Sequence, residues 1–196
     1  MNKPSASLVN WNPAPDLLKD RVVLVTGAAQ GIGRAVAGCL AGYGATTILL
    51  DRDVTGLEQA YDEILAAGYP EPALYPLDLQ GAGPDDYQTL ASTLQQEFQR
   101  LDGLIHNAAT LGALVPLANF DDELWFRTLQ VNLNAPYLLT RACLDLLSSS
   151  HDAAILFTSD AVGRAGKAYW GAYAVAKAGL EAMMQILADE LESNTR

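Results

Sequence analysis

Cysteine and long apolar runs are both scarce in this 196-residue chain. Its two cysteines, Cys39 and Cys143, each lie in an apolar helical pattern, which predicts core thiols rather than a disulfide and is typical of a reducing compartment. No apolar run approaches the length needed to cross a bilayer, and residues 1–5 lead into no apolar signal segment. We therefore expect a soluble, cytoplasmic protein with no membrane partner.

Basic residues are also few, since 12 lysines and arginines stand against 23 aspartates and glutamates, giving a formal net charge of −11 at pH 7. This balance argues against nucleic acid and anionic membranes as partners, because both would repel the chain. The acids are spread along the sequence, which indicates a solvated acidic surface. The motifs HExxH, paired CxxC and GxSxG are absent, so metal and acyl-enzyme chemistry have no support and no metal is expected.

What the sequence does contain is a glycine-rich turn after a short apolar run. Residues 22–25 are apolar and mostly β-branched, which predicts a buried strand of a parallel sheet. Gly27, Gly31 and Gly33 follow with the spacing G-x-x-x-G-x-G, and the helical run 34–37 comes next. A strand, a glycine turn and a helix bring main-chain N–H groups against a phosphate, which predicts a dinucleotide site.

The residues of this turn have distinct predicted tasks. Gly27 allows the sharp turn, while Gly31 and Gly33 lack a Cβ, so that backbone can approach a diphosphate and the helix can pack on its strand. Gln30 and Ile32 lie between them as further cofactor contacts. A glycine-rich turn in an unrelated α/β protein and a methyltransferase with a nucleoside cofactor both stay open, whereas the absence of GxxxxGK[ST] excludes a Walker loop.

The rest of the chain alternates predicted strands and helices in one dinucleotide-binding domain, residues 16–196, after an N-terminal arm, residues 1–15. Further strands are predicted at 46–51, 72–79, 102–109 and 153–158, and helices at 32–43, 54–67, 85–100, 120–147 and 173–192. This alternation predicts an α/β fold, a three-layer Rossmann-type doubly wound parallel sheet with right-handed connections. Pro76 indicates that the third strand lies near a sheet edge.

Polar residues at the carboxyl ends of the strands point to the same ligand, because doubly wound sheets bind ligands at that edge. Asp51, 18 residues beyond Gly33, is placed to accept both hydroxyls of an adenosine ribose and favours NAD. Arg52 favours the 2′-phosphate of NADP, which makes NADP the second choice. Asp78 fits either an adenine contact or a turn, Asn107 ends the next strand, and Asp51 alone would also suit an ordinary turn.

The predicted helix 120–147 contains Pro136, which has no N–H to donate to the carbonyl of Asn132 four residues earlier. We expect a kink there that leaves the Asn132 oxygen free to hold a water. An ordinary proline kink is the other interpretation.

Tyr173 and Lys177 share one face of the last predicted helix, because they are four residues apart. A tyrosine with an ordinary pKa of about 10 is a poor base at neutral pH. A lysine ammonium one turn away favours the phenolate and should lower the pKa of Tyr173, making it a usable general acid/base. A surface tyrosine beside a lysine is the simpler interpretation of the pair alone.

From Leu18 onward the sequence resembles the short-chain dehydrogenase/reductase family. The resemblance rests on five motifs, TGAAQGIG at 26–33, Asp78-Leu79, NAA at 107–109, VNL at 131–133 and YAVAK at 173–177. Within that family, residues 163–173 look like the bacterial YciK-type oxidoreductases.

The resemblance implies that Tyr173 exchanges a proton with a substrate alcohol or carbonyl while hydride passes to or from a nicotinamide. It implies that Lys177 orients the ribose and lowers the tyrosine pKa, and that Asn132 holds a relay water through its main-chain oxygen. Leu79, Asn107 and Ala108 become cofactor contacts. A homodimer or homotetramer through the helices 120–147 and 173–192 is also implied.

Two departures from the family pattern limit this transfer. Asp160 stands thirteen residues before Tyr173, where the family has a serine, and it suits the chemistry only if it is protonated, if Ser159 replaces it, or if the substrate is cationic. Five strands are counted where the doubly wound sheet has six, so the C-terminal strands are expected to be missing. Ala109, the third residue of the NAA motif, stands where the family usually has glycine, which is a mild change.

Two hypotheses follow. The first is an NAD(P)-dependent oxidoreductase that acts on a small alcohol or carbonyl compound, with Tyr173 as general acid/base. The second is a catalytically impaired NAD(P)-binding or interaction protein on the same fold, as Asp160 and the missing strands suggest.

Overall fold

The computed structural model describes residues 13–194, with side chains described through residue 191. Most of the predicted N-terminal arm, residues 1–12, lies outside the described residues. The described residues form a five-stranded sheet. Its strands are β1 Val22–Thr26, β2 Thr46–Asp51, β3 Ala73–Pro76, β4 Gly103–His106 and β5 Ala154–Phe157. The strands lie in the order β3-β2-β1-β4-β5 and every pairing is parallel, which confirms the predicted doubly wound sheet.

Among the described residues, seven α-helices connect or follow these strands. Their bounds are α1 Gly31–Gly42, α2 Val54–Ala66, α3 Pro84–Glu97, α4 Asp122–Leu129, α5 Ala135–Ser148, α6 Ala161–Arg164 and α7 Gly171–Asn194. Alternate residues of β1 face opposite layers: Val22 and Leu24 contribute to one apolar cluster, and Val23 and Val25 contribute to the other. Because both faces of the sheet are covered, the apolar run 22–25 needs no polar alternation.

The predicted helix 120–147 is divided into two helices by a π-helical turn, Gln130–Asn134. The N–H of Ala135 donates to the carbonyl of Gln130, five residues earlier. Pro136, in the first turn of α5, has no N–H for a regular i to i−4 bond, so the interruption at this point was correctly predicted. The sequence did not predict that the interruption is a π turn rather than a simple kink.

Three other expectations need correction. Helix α3 ends at Glu97, so Arg100 lies beyond it, where its guanidinium pairs with the buried Asp102. Cys143 is buried as expected, but Cys39 is exposed on α1, so its assignment to the core was wrong. The short helix α6 was not predicted, because four residues are too few to show a helical period.

The sheet has two edge strands. β3 is one of them, as Pro76 indicated. β5 is the other edge of the described sheet, and its Leu156 side chain is 52% exposed. No helix among the described residues is long and apolar enough to cross a membrane.

Candidate active site

The glycine turn between β1 and α1 has backbone conformations that require glycine. Gly27 and Gly31 have φ angles of +69° and +57°, in the left-handed region. A Cβ on Gly33 would lie 2.1 Å from the Gly27 carbonyl oxygen, so this glycine allows α1 to pack against the turn. Gln30 and Ile32 are exposed between them, and nothing lies within 4 Å of a Cβ built on Gly31. The turn is therefore an open backbone surface of the kind a diphosphate needs.

Thr26 and Asn107 fasten this turn to the end of β4. The Thr26 hydroxyl accepts the N–H groups of Asn107 and Ala108 at 3.0 and 3.1 Å. The Asn107 amide donates to the carbonyls of Thr26 and Gly27 at 3.1 and 3.3 Å. Sequence reasoning placed Asn107 at this edge but missed Thr26, whose position as the last residue of β1 was the available signal.

Asp51 holds the same turn from the β2 side. One carboxylate oxygen accepts the Ala29 N–H at 3.2 Å, and the other accepts the Asp53 N–H at 3.1 Å. Arg52, next to it, is exposed and has no hydrogen bond or ion pair within the described part of the chain. Asp51 thus has both oxygens engaged by main chain, while the Arg52 guanidinium remains available to a ligand.

A cavity of about 390 Å³ lies over these strand ends. It brings together nine of the predicted cofactor residues, Gly27, Gln30, Ile32, Asp51, Arg52, Asp78, Leu79, Asn107 and Ala108. Asp78 also makes a turn, since its carboxylate accepts the Gln80 N–H at 3.1 Å. Three features fit the adenosine diphosphate half of a dinucleotide: the open glycine turn, the Arg52 guanidinium that is unpaired among the described residues, and the close packing of α1 on the turn that Gly33 allows.

Asn132 supports the far wall of this cavity. Its side-chain amide donates to the carbonyls of Thr110 and Thr128 at 2.7 and 2.8 Å, and its oxygen accepts the Thr110 N–H at 3.1 Å. The buried side chain is therefore fully engaged in positioning Thr110, which lines the cavity. The relay water at its main-chain oxygen stays a prediction.

Tyr173 and Lys177 lie on α7 at the same sheet edge. The Lys177 ammonium donates to the carbonyl of Thr158 at 2.7 Å, and the Thr158 N–H donates to the carbonyl of His106 at the end of β4. The ammonium is 5.5 Å from the Tyr173 ring centroid. Since Thr158 follows β5 and all strands are parallel, the pair lies at the same carboxyl edge of the sheet as the glycine turn.

The electrostatics around Tyr173 differ from the expectation. Burial of the side chain raises the pKa of Tyr173, and the charge and hydrogen bond of Asp160 raise it further. Burial also lowers the pKa of Lys177, against an opposing effect of Asp160. The prediction of a lowered pKa for Tyr173 is therefore wrong, because burial and the Asp160 carboxylate both disfavour the phenolate.

Asp160, and not Ser159, faces the phenol. One oxygen of Asp160 accepts the Val162 N–H at 3.0 Å and caps α6, while the Tyr173 hydroxyl donates to the other oxygen at 3.4 Å. The Ser159 hydroxyl donates to Glu181 on α7 at 2.6 Å. Arg164 donates to both oxygens of Glu181, at 2.9 and 3.0 Å.

Trp170 is a neighbour of Tyr173 that sequence reasoning did not select. Its ring centroid is 5.9 Å from that of Tyr173, and the Lys167 ammonium lies 5.8 Å from the Trp170 ring. The three-residue spacing to Tyr173 was the available signal. No cluster of side chains suited to a metal ion occurs in residues 13–191.

Comparison with known proteins gives one consistent family. The short chain dehydrogenase family model matches residues 21–195. The oxidoreductase YciK of Escherichia coli strain K12 is 43% identical over 188 residues, which cover 96% of this chain and 75% of YciK.

Solved structures agree with this match. A short chain dehydrogenase from Pseudomonas syringae is 49% identical with a TM-score of 0.91, covering 93% of this chain and 76% of that one. A short chain dehydrogenase from Escherichia coli CFT073, solved as a complex with NADPH, is 45% identical with a TM-score of 0.90, covering 92% and 75%.

Proposed function

The chain belongs to the short-chain dehydrogenase family of oxidoreductases, and from this premise we propose that it transfers hydride between NADP(H) and a small alcohol or carbonyl substrate. The observation that carries the proposal is the arrangement along one sheet edge, where Tyr173 and Lys177 lie at the end of β5 and the glycine turn follows β1. When bound, the nicotinamide supplies or accepts the hydride. The nearby phenol is the group available to carry the proton.

In this proposal Tyr173 is the general acid of reduction and the general base of oxidation. Its hydroxyl, which donates to Asp160 in this structure, can accept from a substrate alcohol through a free lone pair, and it can rotate to donate its proton to a substrate carbonyl. Lys177 is buried, and its ammonium is fixed by the Thr158 carbonyl, which leaves two further N–H groups for a ribose hydroxyl. Asn132 positions the loop between cofactor and substrate.

NADP(H) replaces NAD as the proposed cofactor. Two observations support it: the exposed Arg52 guanidinium has no partner within the described residues, and the homologous E. coli CFT073 protein was solved with NADPH. Asp51, which favoured NAD in the sequence, has each oxygen engaged by a main-chain N–H. Its charge still opposes a 2′-phosphate, so NAD(H) is expected to bind as the weaker alternative.

A pair of variants tests this preference. Arg52→Ala should weaken NADPH binding about tenfold or more, because a guanidinium–phosphate bond is lost, and should leave NADH within about twofold. Asp51→Asn removes the charge that opposes the 2′-phosphate and should therefore increase the preference for NADPH over NADH. Both affinities follow from fluorescence titration. Equal losses for the two cofactors in Arg52→Ala would contradict the assignment of NADP(H).

Tyr173→Phe tests the reaction itself. The substitution should reduce turnover with any alcohol or ketone that the parent accepts by at least about a hundredfold, because the proton carrier is gone, while NADPH affinity stays the same. Tyr61→Phe is the matched control, since Tyr61 hydrogen-bonds Glu71 from α2 and lies outside the cavity. Equal turnover in Tyr173→Phe and the parent would remove Tyr173 from the mechanism.

The second candidate is a protein that binds NADP(H) on this fold without turning it over. The observation that favours it is Asp160, which occupies the position beside the phenol where the family pattern has a serine. Under this candidate, NADPH binds but neither the parent nor Asp160→Ser oxidises or reduces any of a panel of small alcohols and ketones. Turnover by the parent rejects it.

We also propose a homodimer or homotetramer in the cytoplasm. Phe126 on α4 and Tyr137 on α5 are 68% and 50% exposed, which supports a contact through the helices that the resemblance implicates. Light scattering over a range of concentrations tests the oligomer, and a monomer throughout that range would contradict it.

A further inference from the structure

The carboxylate of Asp160 stands beside the phenol of Tyr173 without a basic side chain paired to it. None of the salt bridges found among residues 13–191 involves Asp160. Arg164, which lies on the helix that Asp160 caps, is directed to Glu181. The Lys177 ammonium is close enough to interact electrostatically with Asp160, but its hydrogen bond goes to the Thr158 carbonyl. A half-buried carboxylate in this position favours an incoming cation.

The oxygen that faces the phenol has bonding capacity left. The first oxygen of Asp160 is used by the Val162 N–H at 3.0 Å. From the side chains and main chain of residues 13–191, the second receives only the Tyr173 hydroxyl, at 3.4 Å, which is long for an O–H···O⁻ bond. A carboxylate oxygen accepts two donors, so a charged N–H donor of a substrate can bind here while the phenol meets the substrate oxygen.

The aromatic surface beside the Tyr173 ring also suits a cation. Trp170 packs at 5.9 Å from the Tyr173 ring, and its own ring already has the Lys167 ammonium 5.8 Å away, within the range of a cation–π contact. Carboxylate and indole together provide the two groups that recognise an organic ammonium. Ser159, the alternative donor for a neutral substrate, is engaged by Glu181 instead.

We propose that the substrate of this site carries a positive charge next to its reacting carbon, as an amino ketone or the corresponding amino alcohol does. The inference rests on the proposed oxidoreductase function. In the direction of reduction, NADPH is the hydride source, the carbonyl carbon receives the hydride, and the carbonyl oxygen receives the proton of Tyr173. The phenolate then takes a proton from water. The substrate ammonium donates to Asp160 and screens that carboxylate from the developing alkoxide, which a neutral ketone cannot do.

Three alcohols of similar size and different charge test the inference: 1-aminopropan-2-ol, butan-2-ol and 2-hydroxypropanoate. Their affinities are measured by saturation-transfer NMR on the full chain, alone and with NADPH, a combination in which an alcohol cannot react. We expect the amino alcohol to bind about tenfold or more tightly than butan-2-ol, and the anion most weakly, because the ammonium gains a charged hydrogen bond.

Asp160→Asn should bring the amino alcohol to within about twofold of butan-2-ol, since asparagine keeps the α6 cap and the size while the charge is lost. Asp160→Ser provides a second capped variant, and circular dichroism checks that both fold. Asp145→Asn is the control, because it removes an equal charge from the exposed surface near the end of α5, at the opposite sheet edge.

The inference is overturned if the parent binds the amino alcohol no more tightly than butan-2-ol, if none of the three binds, or if the preference survives in Asp160→Asn. It is also overturned if Asp160→Asn changes only the affinity for NADPH, since the carboxylate would then serve the cofactor. These readouts need no turnover, so they are separate from failure of the proposed function, which Tyr173→Phe and NADPH titration report.

Discussion

Asp160 and Tyr173 form a carboxylate–phenol pair at the reacting end of the site, with their oxygens 3.4 Å apart. Burial and the neighbouring charge both disfavour the phenolate, so they raise the pKa of Tyr173. The proton therefore stays on the phenol through neutral pH. Such a residue is ready to donate to a carbonyl, whereas alcohol oxidation must wait for deprotonation at higher pH.

Asp160→Asn should lower the pKa of Tyr173, because the amide removes the negative charge that opposes the phenolate. The phenolate absorbance of the parent and of the variant, each compared with the same protein carrying Tyr173→Phe, isolates this one tyrosine. Alcohol oxidation should rise with pH in both proteins, and in Asp160→Asn the rise should come at lower pH. Superimposable phenolate curves would show that the carboxylate does not control the phenol.

The positions of individual site residues could be predicted from the sequence, but their contacts could not. The i, i+4 spacing correctly placed Tyr173 and Lys177 on one helix face, and strand ends correctly placed Asp51 and Asn107. Spacing says nothing about which side chain a carboxylate will meet, so the competition of Asp160 with Lys177 was not predicted. The main-chain bonds of Asp51 also depend on the turn geometry, which a one-dimensional pattern does not contain.

Among the elements, the start of the sheet is held by the buried side chain of Asp102. Its oxygens accept the Val22 N–H at 2.8 Å, the Ser150 hydroxyl at 2.7 Å, and the guanidinium groups of Arg21 and Arg100 at 3.2 and 3.1 Å. This one carboxylate connects β1, β4 and the segment before β5. These bonds and charges outweigh burial and lower the pKa of Asp102.

Asp102→Ala should therefore lower the free energy of unfolding by about 3 kcal/mol, because it leaves buried donors without an acceptor. Asp152→Ala is the control, since it removes an exposed partner of the same Arg21 and should cost at most about 1 kcal/mol. Urea titration measures both. Similar costs for the two variants would contradict the assigned role.

The same carboxylate predicts a pH dependence of stability. Since the folded-state pKa of Asp102 lies below its ordinary value, its contribution is fully present above that ordinary value and is lost as the pH falls through the folded-state pKa. The free energy of unfolding of the parent should fall over this acidic range. The difference between the parent and Asp102→Ala should shrink there, and a constant difference would exclude the linkage.

Two glycines of α1 test the glycine turn. Gly33→Ala should destabilise the turn and abolish tight NADPH binding, because the new Cβ would lie 2.1 Å from the Gly27 oxygen. Gly38→Ala, in the same helix with nothing within 4 Å of its Cβ, should stabilise the fold by about 0.5–1 kcal/mol. Thermal unfolding and NADPH titration measure both. Tight NADPH binding by Gly33→Ala would contradict the packing.

The elements themselves were largely predictable. β1 and β2 matched because apolar runs bounded by glycine and aspartate leave little alternative, and Pro76 marked the edge strand. The π turn at 130–134 was not, because its apolar spacing hardly differs from that of a continuous helix. Helix α6 depends on a local cap, in which Asp160 accepts the Val162 N–H, and on close packing of Gly163 against Lys177, which is distant in sequence.

At the scale of the whole molecule, the sheet order brings two distant parts of the chain into one site. The glycine turn and Asp51 come from the first third of the chain, and the Tyr173–Lys177 pair comes from the last described helix, with β4 between them. A ligand that spans both parts should stabilise the entire fold. The pattern of strands and helices predicted this arrangement, because parallel right-handed crossovers permit few others.

NADPH should accordingly raise the melting temperature of the chain by roughly 5–10 °C at a hundredfold excess over its Kd, because it binds only the folded state. NADH at equal concentration should raise it less. A larger shift with NADH would return the assignment to NAD.

The most direct test is a crystal structure of the chain with NADP⁺. The account predicts the diphosphate against the main-chain amides of residues 27–33, the 2′-phosphate beside Arg52 and the nicotinamide beside the Tyr173 hydroxyl. A dinucleotide bound elsewhere, or a nicotinamide directed away from Tyr173, would contradict it.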